Sequence, residues 1–394
     1  MRFERVGNLG DLRDAIKHSE EALAATPESH HDRAGRHSNL GAMLYVRFRR
    51  VGDLCDLDSA IKHIEEGLAA TSQGHADRAT MHNNLGTMLS ARFRRIGDVS
   101  DLQNAITHSE EALAATPQDH PDRARRHGDL GNRFSTRFER IGDFGDLRRA
   151  INHGEESLAI TPQDHPDRAC RHNNLGNCFS MRFGRVGDFV DLQKAIKHIE
   201  EALAATPQDH PDRAVRHSNL GAMLSMRFER LGELGDLQDS IKHSEEALAA
   251  TPQDHHDRAG RHSNMGAILS ARFRRIGCLD DLQSAIKHIE AALAATPRDH
   301  PDRAGRHNNL GGMLSTRFGR IGDLRDLQDA IKHGEDALAA TPEDHPDRAR
   351  RHSDLGIRFS IRFERIGDLV DLQKAISHSE EALAATPQDH PDRA

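Results

Sequence analysis

The chain has almost no aromatic residues other than phenylalanine: it contains no tryptophan, one tyrosine and 14 phenylalanines among 394 residues. Its four cysteines (Cys55, Cys170, Cys178 and Cys278) show neither metal-ligand spacing nor the pattern of a disulfide framework. No run approaches the roughly 20 apolar residues that a membrane-spanning helix needs. These absences argue against a disulfide-rich secreted domain and against a membrane protein, and they predict a cytoplasmic location.

No charge of one sign dominates any part of the chain. The 54 basic and 62 acidic residues give a net charge of -8, and the two signs alternate throughout. Nucleic-acid-binding domains concentrate Lys and Arg on one face or along one helix. We therefore expect no nucleic acid partner.

A 45-residue repeat fills the chain. Thr26 recurs at every 45th position as far as Thr386, and every copy except Thr71 is followed by proline. The pair Arg-Phe returns nine times at the same interval. A fixed period of this length is typical of a solenoid, in which each unit stacks only on its neighbours. We predict one array over residues 1–394, with about eight and a half repeats and incomplete repeats at both ends.

Each repeat has the pattern of two helices. In one example, Pro121 opens the first helix and Gly142 supplies the left-handed conformation that commonly ends one. Asp143 or Asp146 then caps the second helix, which ends before Pro162. No segment shows the alternation of a β-strand, so the predicted fold class is all-α.

One side of the first helix is nearly constant between repeats, and this side is predicted to be buried. Successive residues advance by 100° around a helix, which places the constant positions within about 100° of one another. In the earliest copy they are His37, Leu40, Gly41, Leu44, Phe48 and Val51. The arginines at Arg47 and Arg50 also never vary, and we interpret them as structural residues that pair with Asp56 and the Glu65 position.

The repeat resembles the tetratricopeptide repeat, whose signature is W-x2-L-G-x2-Y, then A-x3-F, then P. The matching positions are His82-x2-Leu85-Gly86-x2-Leu89, then Ala105-x3-Ser109, then Pro117. The expanded unit also resembles kinesin light chain repeats and fungal arrays that read RFERLGDLxDLxxAI and TPxDHPDRA. The resemblance implies an α-solenoid, a right-handed superhelix of antiparallel helix pairs. His in place of the large aromatic residue implies that the helices pack differently from the family standard.

Histidine is abundant, with 28 residues, of which 26 fall in three columns that begin at His18, His30 and His37. A metal array requires ligands that converge from different columns, and the sequence shows neither a cysteine partner nor His-Glu-x-x-His spacing. We therefore interpret these histidines as structural and expect no metal and no cofactor. A second hypothesis follows, namely that buried neutral histidines make the array sensitive to acid.

The columns opposite the constant face differ most between repeats. In tetratricopeptide arrays the first helices line a concave groove, and by that resemblance these columns form a partner-binding surface. The alternative is drift on a solvent-exposed face. The predicted surface consists of Gly35, Ala42, Val46, Arg125, Asn132, Thr136, Cys170, Asn177, Met181, Val215, Met226, Arg350, Ile357 and Ile361.

The function expected from these features is a non-catalytic scaffold that binds a peptide or helical segment of another protein in its groove. Carboxylate pairs such as Glu20-Glu21 recur in nearly every repeat, whereas a catalytic centre is normally one asymmetric constellation. Two alternatives remain open. One is a structural solenoid that associates end to end, and the other is the sensor arm of a larger nucleotide-binding switch or caspase-like protease.

Overall fold

A computed structural model describes residues 9–343 and 345–385, and every regular element in this part of the chain is an α-helix. The helices are α1 (Leu9–Ala24), α2 (Arg33–Val51), α3 (Leu54–Ala69), α4 (Asp77–Ile96), α5 (Val99–Ala114), α6 (Arg123–Ile141), α7 (Phe144–Ala159), α8 (Arg168–Val186), α9 (Phe189–Ala204), α10 (Arg213–Leu231), α11 (Leu234–Ala249), α12 (Arg258–Ile276), α13 (Leu279–Ala294), α14 (Arg303–Ile321), α15 (Leu324–Ala339), α16 (Arg348–Ile366) and α17 (Leu369–Ala385). This confirms the all-α class.

The helices form two compact units, one over residues 1–205 with α1 to α9 and one over residues 206–394 with α10 to α17. In both units the even-numbered helix is the first of its repeat, and it packs mainly against the odd-numbered second helix that follows. Incomplete repeats were predicted at both ends of the array, and their outermost residues, 1–8 and 386–394, lie outside the described residues.

A two-residue connection makes each pair antiparallel. Gly142 has a φ of 82°, a left-handed conformation that favours glycine, and its N–H donates to the Phe138 carbonyl at 2.7 Å. The Asp143 carboxylate then accepts from the N–H of Gly145 at 2.8 Å and caps α7. Asp143 is therefore the cap, whereas the other candidate, Asp146, uses its carboxylate elsewhere.

The residue at the N-cap of the second helix differs between repeats, and this difference allows a test of its contribution to stability. Asp98 accepts a hydrogen bond from the N–H of Ser100, whereas Cys278 occupies the equivalent position of α13 without a side-chain cap. We expect Cys278→Asp to raise the free energy of unfolding of the second unit by about 1 kcal/mol. Asp98→Ala should lower that of the first unit by a similar amount. Urea unfolding of both variants tests this, and a Cys278→Asp curve that matches the native one would contradict the assignment.

The predicted buried face is confirmed at five positions and wrong at one. His37, Leu40, Gly41, Leu44 and Phe48 are all buried against neighbouring helices. Val51, by contrast, is 56% exposed. It is the last residue of α2, where the chain turns away from the packed face into the connection.

A glycine in the middle of the first helix allows the two helices of a repeat to approach closely. A Cβ on Gly41 would lie 3.0 Å from the Ala60 carbonyl oxygen and 2.9 Å from the Ile64 side chain. These contacts are tighter than side chains normally tolerate, so α2 and α3 pack there with backbone against backbone.

Candidate functional site

The predicted partner surface lies on α2, α6, α8, α10 and α16, and none of its residues is fully buried. The exposed members are Arg125, Asn132, Cys170, Val215, Arg350 and Ile357, and the other eight are half-buried. Two residues of the Val46 column, Ala91 and Ala271, are each only 4% exposed. The surface therefore faces solvent mainly where its columns carry larger or polar side chains.

The least expected side chain beside this surface is Arg133 on α6. Its column holds Met43 in the first repeat and Met88 in the second, and both arginine and methionine side chains are long enough to reach the neighbouring helix. Arg133 is 6% exposed. Its Nε donates to Ser90 Oγ at 3.0 Å and its Nη2 to Thr87 Oγ1 at 3.2 Å, while Nη1 is buried without a hydrogen-bond partner.

Arg133 lines an open pocket of about 180 Å³ between α4, α5 and α6. Two residues of the predicted surface, Asn132 and Thr136, also line it. The remaining walls are Thr87, Ser90, Phe93, Arg94, Leu102 and Asp129. The pocket thus combines hydroxyl and amide groups with two guanidinium groups at the edge of the predicted surface.

The charges in this pocket are incompletely balanced. Burial lowers the pKa of Arg133, and the positive charge of Arg94 acts in the same direction, whereas Asp129 opposes them. Burial also raises the pKa of the Asp129 carboxyl group. A buried charge is costly unless it is paired and hydrogen-bonded. An added oxyanion would therefore stabilise Arg133.

Arg358 on α16 lies five repeats later in the same column, but its surroundings differ. Its Nη1 donates to the Ala330 carbonyl at 3.3 Å. This orientation requires a residue without a side chain on α15, because a Cβ on Gly334 would lie 2.6 Å from that Nη1. Ser109 occupies the equivalent position of α5, next to Arg133. The sequence signal that distinguishes the two arginines is therefore the residue on the preceding second helix.

The structure also brings together two histidine columns that the sequence argument treated as separate. In all eight described helix pairs, Nδ1 of the first-helix histidine lies 2.8–3.1 Å from Nδ1 of a second-helix histidine, as in His37 and His63. The premise that the columns do not converge was wrong, because the antiparallel pairing places the start of one helix beside the end of the other.

The invariant arginines connect neighbouring helices. The Arg47 column pairs with the Asp56 column, as predicted, whereas in the Arg50 column the observed contact is with an aromatic ring. Arg47 donates from Nε to the buried Asp56 carboxylate at 2.7 Å, and the same pair forms in all eight described helix pairs. In the Arg50 column, Arg95 lies over the ring of Phe48 in the preceding repeat, 6.0 Å from its centre. Stacking on an aromatic face is a characteristic use of arginine.

Comparison with known proteins agrees with this architecture. The Tetratricopeptide repeat family matches residues 78–122, one full period of the chain. No curated protein matches the chain.

Solved structures with similar folds include three helical-repeat proteins. A kinesin-light-chain-like protein of Podosopora anserina with nearly identical TPR-like repeats is 18% identical over 57% of this chain and 97% of its own, with a TM-score of 0.41. The Cut9–Hcn1 hetero-tetramer of the APC/C is 13% identical over 95% of this chain and 64% of its own, with a TM-score of 0.47. YrrB is described as a TPR protein with an unusual peptide-binding site. It is 13% identical over 60% of this chain and 93% of its own, with a TM-score of 0.39.

Paired antiparallel helices in a fixed period define an α-helical repeat protein. The matched segment is a single period, and the other periods are close copies of it. The chain is therefore an α-helical repeat protein whose 45-residue unit is similar to an expanded tetratricopeptide repeat. Among its described residues, no helix has the length and apolar character needed to cross a membrane.

Proposed function

We propose that this protein is a non-catalytic scaffold that binds a peptide or helical segment of another protein along the exposed columns of its first helices. YrrB, of similar architecture, is described as having a peptide-binding site. The observation that carries the proposal is the buried Arg133, which has an unpartnered Nη1 and lines a pocket together with Asn132 and Thr136 of the predicted surface. A reducing compartment such as the cytoplasm fits the four cysteines, none of which forms a disulfide bond.

An acidic side chain of the partner is the group that this pocket accepts best. Its carboxylate can receive a charge-assisted hydrogen bond from Arg133 Nη1, while the other two guanidinium donors stay on Ser90 and Thr87. Arg94 adds a second positive charge at the pocket wall. The buried site strengthens this pairing, because a low local dielectric increases electrostatic attraction.

The test is selection of peptides from a random library on the native chain, followed by affinity measurements on Arg133→Met and Arg358→Met. Methionine is the residue that other repeats carry in this column, so both variants should fold. We expect selected peptides to contain an essential Asp or Glu and to lose at least about tenfold in affinity with Arg133→Met, equivalent to about 1.4 kcal/mol. Arg358→Met should bind them as the native chain does.

Two outcomes would contradict the proposal in different ways. If the native chain and Arg133→Met bind every selected peptide with equal affinity, the acidic side chain of the peptide does not bind at Arg133. Failure to select any peptide, together with sedimentation that depends on protein concentration, would instead favour a self-associating structural role.

A further inference from the structure

The histidine pairs of four repeats have a glutamate beside them, and in a further repeat Asp336 lies 3.8 Å from His307 and 4.0 Å from His333. In each case the first helix supplies one histidine, and the second helix supplies the other histidine together with an acidic residue one turn later. The four clusters are His37, His63 and Glu66; His82, His108 and Glu111; His172, His198 and Glu201; and His217, His243 and Glu246. Their ligand atoms all lie within 4.8 Å of one another in each cluster.

The distances in the first cluster match the spacing of metal ligands. His37 Nδ1 lies 3.1 Å from His63 Nδ1 and 3.1 Å from Glu66 Oε2, and the third side of the triangle is 3.4 Å. Ligands about 2.0–2.1 Å from a tetrahedral zinc ion lie roughly 3.3–3.4 Å from one another. A zinc ion therefore fits this triangle with shifts of only a few tenths of an ångström.

The fourth cluster repeats this triangle in the second unit. His217 Nδ1 lies 2.8 Å from His243 Nδ1 and 2.9 Å from Glu246 Oε2, and the third side is 3.5 Å. In both triangles the first histidine is nearly buried, with 6–8% of its side chain exposed, while the glutamate is 41–42% exposed. The glutamate side thus gives an ion a path from solvent.

The state of these histidines also suits a metal. Burial lowers the pKa of His37 and His217, which keeps both imidazoles neutral near pH 7 with a free ring-nitrogen lone pair. Two histidines and one carboxylate form a ligand set used by zinc, with the fourth position left for water or another ligand.

We propose that these four clusters bind zinc, or a divalent transition metal of similar preference, through two histidines and one glutamate each. This inference is independent of the partner-binding proposal, because the ligands lie between the two helices of a repeat and not in the Arg133 pocket. Metal bound there would link the first helix to the second and stabilise each repeat.

The chain contains its own comparison. In the repeat formed by α12 and α13, His262 and His288 still face each other at 2.9 Å, but Ala291 occupies the position of the glutamate. The histidine pair therefore forms without the acid, and in the four clusters the glutamate completes the set of three ligands. Ala291→Glu should add a site.

The experiment is a zinc titration of metal-stripped native chain and of two matched quadruple variants. The first changes Glu66, Glu111, Glu201 and Glu246 to Gln, which preserves size while removing the ligand charge. The control changes the preceding exposed residues Glu65, Glu110, Glu200 and Glu245 to Gln, with the same net change on the same helices.

We expect the native chain and the control to bind four more equivalents of zinc than the first variant, and the melting temperature of the native chain to rise with zinc. Co²⁺ should give the visible absorption of tetrahedral coordination in the native chain and the control. Equal zinc binding by both variants would overturn the proposal, since the metal would then sit on surface histidines such as His30 and His31. Absence of zinc binding by the native chain would overturn it as well.

Discussion

Asp146→Ala should lower the free energy of unfolding of the first unit by about 3–5 kcal/mol, the usual cost of removing one partner of a buried ion pair. Asp146 is 1% exposed, and both carboxylate oxygens accept from the guanidinium of Arg137 on the preceding helix. The bond raises the pKa of Arg137, which shows that the charged form is the one stabilised. Without the carboxylate, the guanidinium must either stay unpaired or swing out to water and open the packing of α6 on α7.

The matched control removes both charges. Arg137→Met with Asp146→Leu replaces the pair by apolar side chains of comparable length, and such replacements are often neutral or stabilising. We expect the double variant to regain most of the stability lost in Asp146→Ala. Urea unfolding gives the free energies, and hydrogen exchange of α6 and α7 shows whether the loss is local, as expected when each repeat contacts only its neighbours. A single variant within 1 kcal/mol of the native chain would mean that water screens this pair fully.

The helical fold was predictable because its determinants are local and recur nine times over. Gly142 and Pro121 mark helix ends through backbone conformations that few residues adopt, and the apolar period marks the packed face. The choice between Asp143 and Asp146 as the cap was not predictable in the same way. Both positions suit a helix start, and only the position of Arg137 across the connection decides which carboxylate is left to cap.

The candidate sites depended on contacts that sequence spacing does not reveal. The histidine columns converge because His37 and His63 lie at opposite ends of antiparallel helices, 26 residues apart along the chain. Arg133 stands out in its column by sequence, but its unpartnered nitrogen depends on the side chains of a preceding repeat. The partner-binding role of the predicted surface residues remains a prediction. Exposed residues differ between repeats both on a binding face and on a solvent-exposed face whose sequence varies without selection.

Acid should destabilise the array even with all metal removed. Four histidine pairs lie outside the four proposed zinc clusters, and burial lowers the pKa of all eight imidazoles: His127, His153, His262, His288, His307, His333, His352 and His378. For His153 the pKa falls to about 4, with burial as the largest cause, followed by the charges of His127 and Arg149. Its ring also stacks on Phe134 at 5.8 Å.

The direction of the pH effect follows from these lowered pKa values. As pH falls below about 6.5, the ordinary histidine pKa, the unfolded chain takes up protons that the folded pairs resist, so unfolding becomes easier. Stability is complete above that pH and decreases toward pH 4, by at most about 1.4 kcal/mol per pH unit for each proton bound only by the unfolded chain.

Thermal unfolding of the metal-stripped chain between pH 8 and pH 4 measures this decrease, and His153→Gln isolates one contribution. Glutamine keeps a polar side chain beside His127 but does not titrate, so the first unit of this variant should lose less stability on acidification than the native unit. His31, whose side chain is 85% exposed, provides the control, because His31→Gln should leave the pH profile of the native chain unchanged. A melting temperature that stays constant from pH 8 to pH 5 would show that the histidine pairs accept protons without loss of packing, with the second imidazole or a nearby carboxylate stabilising the charge.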